Sequence, residues 1–133
     1  MDDFQLIHGS SRDEDEYVVT LDEFQSAFRN MSVRMAFFGH SHVQCACSWH
    51  SGGCYPYGSE STLDTRGDAA WLINPGAVGQ PRDQDPRAAF ALFDTASGEV
   101  QLMRTDYDII AAARAIRAAG LPARLAERLL AGS

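Results

Sequence analysis

Lysine is absent: all eleven basic residues of this 133-residue chain are arginines. That absence carries no functional reading of its own. No basic stretch offsets the eighteen acidic residues, however, and the net charge is −7. Such a chain is ill suited to non-specific binding of nucleic acid or to membrane surfaces. Long apolar runs are missing too, and none approaches the ~20 residues that span a bilayer. The opening Met1-Asp2-Asp3 lacks the basic-then-apolar build of a secretory signal, so a cytoplasmic location is expected. The cysteines are only three, Cys45, Cys47 and Cys54. An odd number forms no closed disulfide framework. There is no internal repeat and no disordered linker. A hydrophobic content of 45% and a charged content of 22% are ordinary for one soluble globular domain over residues 1–133.

What is present centres on Phe37-Phe38-Gly39-His40-Ser41-His42. The apolar run Val33 to Phe38 reads as a buried strand that stops at a glycine. In extended backbone, residues i and i+2 share a face. His40 and His42 are therefore expected to aim at one point, or at two points close together. Imidazole is the commonest protein metal ligand; a hydrogen-bonded loop pair is the other reading of the same two residues. Phe4 to Ile7 has the same form, a short apolar run ending at His8-Gly9-Ser10-Ser11, and Arg12 to Glu16 is a charged loop.

Thr20-Leu21-Asp22-Glu23 is a capping box, and the spacing of Leu21, Phe24, Ala27, Phe28 and Met31 predicts a helix to about Asn30. Val43 to Gly67 is rich in turn residues and is read as one long connection. Within it, Cys45, Cys47, His50 and Cys54 make a Cys3His set, which is a structural zinc composition. Their spacing fits no common zinc module, and reduced cysteines in a hairpin are the preferred reading.

Ala70 to Ile73 is a strand that runs into Asn74-Pro75-Gly76-Ala77-Val78-Gly79-Gln80-Pro81-Arg82-Asp83. Asn74 and Arg82 could face an anion there, since guanidinium matches phosphate oxygens in a fork; a structural turn with a surface arginine is the competing reading. Ala88 to Asp94 and Val100 to Tyr107 read as a hairpin about Ser97-Gly98. Asp108 to Ala119 reads as a helix stopped by Gly120. Pro122 opens a last helix with an apolar stripe of Leu121, Leu125 and Leu129.

Taken in order, His8-Gly9, then Gly39-His40-Ser41-His42, then Asn74-Pro75-Gly76 through Arg82-Asp83 resemble the calcineurin-like metallophosphoesterases, in particular the small bacterial diadenosine-tetraphosphatase-like or phosphodiesterase-like branch. The tail from Tyr107 to Pro122 is similar to that branch as well. The resemblance implies an α/β (α+β) fold, the C-terminal portion of a four-layer αββα sandwich. It implies metal-dependent phosphoester hydrolysis with two divalent ions, manganese, iron or zinc. By resemblance, His8 and His40 are ligands of one ion and His42 of the other. Arg82 and Asn74 are expected at the substrate, a small phosphoester or nucleotide.

The departures from that family are as informative. Its opening Asp-x-His, Gly-Asp-x2-Asp and Gly-Asn-His-Asp/Glu motifs do not occur here, and with them go the bridging carboxylate and the general acid. No catalytic residue can be named. The resemblance therefore implies an incomplete enzyme, with self-association or a missing N-terminal half to be expected. The alternatives are a non-catalytic binding or assembly module and a small zinc-binding structural domain on the Cys45–Cys54 stretch.

Overall fold

The computed structural model describes residues 4–133; the acidic Met1-Asp2-Asp3 opening lies outside them. The chain runs β1 (Phe4–Leu6), α1 (Leu21–Arg29), β2 (Met35–Phe37), β3 (Cys45–His50), β4 (Gly53–Tyr57), β5 (Thr62–Asp64), β6 (Ala70–Asn74), β7 (Ala88–Asp94), β8 (Glu99–Thr105), α2 (Ile109–Ala118) and α3 (Ala123–Ala131). Two sheets form. The first has the order β1-β2-β6-β3-β4, and the second β5-β8-β7. Strands β1, β2 and β6 are parallel, so their C-terminal ends meet on one side. Strand β3 lies antiparallel to β6.

Strict alternation along the central strands builds two cores. Ala36, Phe38, Cys47 and Leu72 face α1, where they meet Val18, Phe24 and Ala27. Met35, Ala46, Trp71 and Ile73 face the second sheet, where they meet Leu63, Val100 and Leu102. Helix α1 begins as its capping box predicts: the Glu23 N–H donates to Thr20 Oγ1, and the Glu23 carboxylate accepts from the Thr20 N–H. Helix α2 is capped by Asp108. It packs with α3 as a hairpin, and Gly132, at the end of α3, closes on the backbone of Asp85 and Pro86. No helix among the described residues is long and apolar enough to cross a membrane.

Two expectations are corrected. The stretch Val43–Gly67 is not one long connection but holds β3, β4 and β5. Ser51 and Gly52, both at positive φ, turn β3 back on β4, and pairing with β6 supplies what local pattern does not. Strand β1 lies at the edge of the first sheet. Its Phe4 ring meets Phe37 and Phe93 between the sheets, while Leu6 is 73% exposed. The cysteines, finally, are not all reduced: Cys47 and Cys54 form a disulfide and Cys45 remains free. The two lie diagonally across the β3–β4 hairpin with Cα atoms 6.3 Å apart, inside the span a disulfide bridges.

Candidate active site

The C-terminal ends of β1, β2 and β6 deliver His8, the Gly39–His42 turn and Asn74 to one place. The Ile7 N–H donates to Phe37 O and the Gly39 N–H to His8 O, which carries the parallel ladder past the strand ends. His40 Nδ1 lies 2.9 Å from His8 Nε2. Tyr17 packs on the other imidazole, its ring centroid 4.2 Å from that of His40.

His40 and His42 are not the extended i and i+2 pair that alternation implies. Strand β2 ends at Phe37, and both histidines adopt left-handed backbone, with φ of 60° and 59°. Residues with a Cβ reach that region only at a cost, and such strain concentrates at functional sites. Asn74 holds the turn in place. Its Nδ2 donates to Gly39 O at 3.1 Å and to Ser41 Oγ at 2.9 Å, and its Oδ1 accepts from the Gly76 N–H. With 0% of its surface exposed and its amide hydrogens engaged, Asn74 does not present itself to a substrate as expected. It positions the Gly39–His42 turn.

His42 is engaged separately. Its Nδ1 lies 2.8 Å from Gln80 O; a carbonyl only accepts, so Nδ1 is the donor, which in the neutral ring leaves the lone pair on Nε2. The Arg82 N–H donates to His42 O, which ties the Asn74–Asp83 loop to the histidine turn. The Arg82 guanidinium donates to Gln80 Oε1, and its Nε is buried with no partner among the described residues. The neighbouring acids are taken by other arginines: Asp83 pairs with Arg104, and Asp85 with Arg87. Among the described residues no group of three or more His, Cys, Asp or Glu side chains is arranged to hold an ion. His8 and His40 are thus brought together as a pair, and His42 is not part of a larger group with them.

Below this surface runs a closed polar ring. The Gln44 N–H and Arg104 Nη2 both donate to Asp83 Oδ2; Arg104 Nε donates to Ser59 Oγ, and Ser59 Oγ to Gln44 Oε1. Gln44 Nε2 also reaches the carbonyls of Pro75, Phe90 and Met103. Neither Tyr17, Gln44 nor Arg104 sits in a motif; the contacts of Gln44 and Arg104 span 15 to 59 positions of chain, which no local pattern announces.

The Cys45 thiol lies next to this ring. Burial first, and then the Asp83 carboxylate, push its pKa up to about 12. Cys47 and Cys54 are bonded to each other and His50 stacks on Tyr55, so the Cys3His set has no convergent thiolates. Native chain treated with iodoacetamide at pH 8 is expected to remain unlabelled at Cys45 and to be modified once unfolded in urea. Fast stoichiometric labelling of the folded protein would contradict the burial of this thiol, because only the thiolate reacts. A cleft of about 260 Å³ lined by Phe4, Met35, Trp71, Phe93 and the β7–β8 turn lies at the opposite ends of the strands, away from the histidines.

A family model, the calcineurin-like phosphoesterase superfamily domain, matches residues 1–98. An uncharacterised protein of Methanocaldococcus jannaschii is 38% identical over 98 residues, which is 74% of this chain and 39% of that protein. The crystal structure of a metallophosphoesterase from Sphaerobacter thermophilus superposes with a TM-score of 0.90 at 33% identity, covering 100% of this chain and 56% of that one. A hypothetical protein of Pyrococcus horikoshii shares the fold, with a TM-score of 0.68 at 16% identity, covering 96% of this chain and 46% of its own. The chain therefore spans about half the length, or less, of these relatives. With two sheets, three helices, and histidines gathered at the parallel strand ends, it belongs to the calcineurin-like phosphoesterase superfamily.

Proposed function

We propose that this chain carries the histidine-bearing part of a metal-assisted phosphoester hydrolase. The observation that carries the reading is the approach of His8 Nε2 and His40 Nδ1 to 2.9 Å at the strand ends. Two nitrogens bound to one ion at about 2.1 Å each and at right angles are about 3.0 Å apart, so the pair fits a shared divalent ion. His42 offers Nε2 to a second ion, and its Nδ1 partner is the carbonyl arrangement that orients a ligating imidazole. Manganese, iron or zinc suits such donors. Bound there, it supplies Lewis-acid polarisation of the phosphoryl group and a more acidic water.

The chain's own residues do the positioning. Asn74 holds the His40–His42 turn, and Arg82, beside His42, offers its fork to the phosphoryl oxygens of a small phosphoester or nucleotide. What the donor set lacks is negative charge. Two dications about 4 Å apart repel by roughly 16 kcal/mol at an effective dielectric of 20 before screening, and neutral imidazoles do not offset that. Asp83 is committed to Arg104, and Asp13 accepts from the Asp15 N–H. The 133-residue chain alone is therefore expected to be inactive and to need carboxylates from further polypeptide. Loaded with manganese and assayed on bis(p-nitrophenyl) phosphate alongside sedimentation, it should show no turnover above background. A monomer that holds two ions and turns the diester over, with activity lost in His40→Ala, overturns this reading of the chain as incomplete.

A further inference from the structure

We propose that Tyr17 determines the specificity of this site by offering its ring to a planar aromatic group, aryl or nucleobase, esterified to the phosphoryl group. The inference rests on the phosphoesterase reading and adds a substrate class to it. Tyr17 stands directly against His40, with ring centroids 4.2 Å apart and the planes inclined at 48°. Its side chain is nonetheless 49% exposed, and its hydroxyl has no hydrogen-bond partner among the described residues. The ring thus meets the imidazole while about half of the residue stays open to solvent, beside the place where a phosphoryl group would sit.

The ring is presented on a fixed support. On one side, Val18 is buried in the core under α1. On the other, Glu16 is bound by Ser10 Oγ and by the Arg12 guanidinium. The loop closes so tightly over Gly9 that a Cβ there would lie 2.5 to 2.8 Å from the carbonyl oxygens of Glu14, Glu16 and Asp13. Only glycine permits that closure. An exposed aromatic held this firmly loses little conformational entropy when it binds, and stacking on an aromatic face accepts any planar ring.

Phenyl phosphate and methyl phosphate carry the same phosphoryl group and differ in the ring, so they isolate the contribution of Tyr17. The manganese-loaded chain, titrated with each by calorimetry, is expected to prefer phenyl phosphate by about fivefold or more, the scale of one stacking contact. In Tyr17→Ala the ratio should fall to near one while methyl phosphate still binds, and Tyr17→Trp should restore the preference. Equal affinities in the unaltered chain overturn the proposal. So does a Tyr17→Ala variant that weakens both ligands alike, which would make the ring only a support for His40. Failure of both ligands to bind at all overturns the phosphoryl site itself and this proposal with it. That outcome is distinct from methyl phosphate binding without any aryl preference.

Discussion

His40→Gly is expected to abolish manganese retention while leaving the metal-free fold as stable as the unaltered chain to within about 1 kcal/mol. His40→Ala should lose the metal equally and be the less stable of the two variants by about 1 kcal/mol. The difference arises from the backbone. At φ 60° His40 is left-handed, where a Cβ crowds the following carbonyl oxygen; glycine occupies the same angle without that contact. Alanine keeps the Cβ and gives up the His8 and Tyr17 contacts of the imidazole. Equilibrium dialysis against manganese and urea unfolding of the metal-free variants read the two effects separately. Manganese retained by either variant would remove the His8–His40 pair as the site. Alanine more stable than glycine would mean that the turn is not strained.

Arg104→Ala should destabilise the fold by about 3 kcal/mol or more, the range for breaking a buried pair by removing one partner. The Arg104 side chain is 2% exposed and that of Asp83 15%. Removing the guanidinium leaves Asp83 with only the Gln44 N–H on Oδ2, its Oδ1 already being buried without a partner. Ser59 and the carbonyl of Asp85 also lose a donor. The double variant Arg104→Met with Asp83→Asn should recover much of the loss, because a neutral, well-filled replacement avoids the stranded charge. Thermal unfolding of Arg104→Ala, of the double variant and of its two component single variants measures this. Additive losses in the double variant would show that the pair is not coupled.

Local chemistry in the sequence carried the helices. The Thr20–Glu23 box, Asp108 and Gly120 each act within one turn of the element they bound, so their effect is visible in a few consecutive letters. The gathering of His8, the His40–His42 turn and Asn74 at strand ends was legible for a related reason: each follows an apolar run. Strands β3 and β4 were not, because Pro56 and the glycines of that stretch resemble turn chemistry; β3 exists through its pairing with Trp71, Leu72 and Ile73 on β6. The left-handed histidines were equally hidden. A non-glycine residue at positive φ has no sequence signal of its own, and here Asn74, some thirty positions downstream, imposes it. A hairpin was read around the cysteines, but the Cys47–Cys54 bond depends on its register, which the spacing does not give.

The Gln44 amide has a consequence for assembly. Its Nε2 meets carbonyls from Pro75 in the Asn74–Asp83 loop and from Phe90 and Met103, which face each other across β7 and β8. Mispositioning the second sheet by one residue pair would carry Phe90 O and Met103 O out of reach, leave Nε2 with Pro75 O alone and strand one of its two hydrogens without a partner, at a cost of about 1–3 kcal/mol. Apolar side chains such as Val100 and Leu102 tolerate a slipped neighbour far better than this amide does, since dispersion contacts have no direction. A single side chain thus works as a gauge of alignment, penalising sandwiches that are equally greasy but wrongly seated.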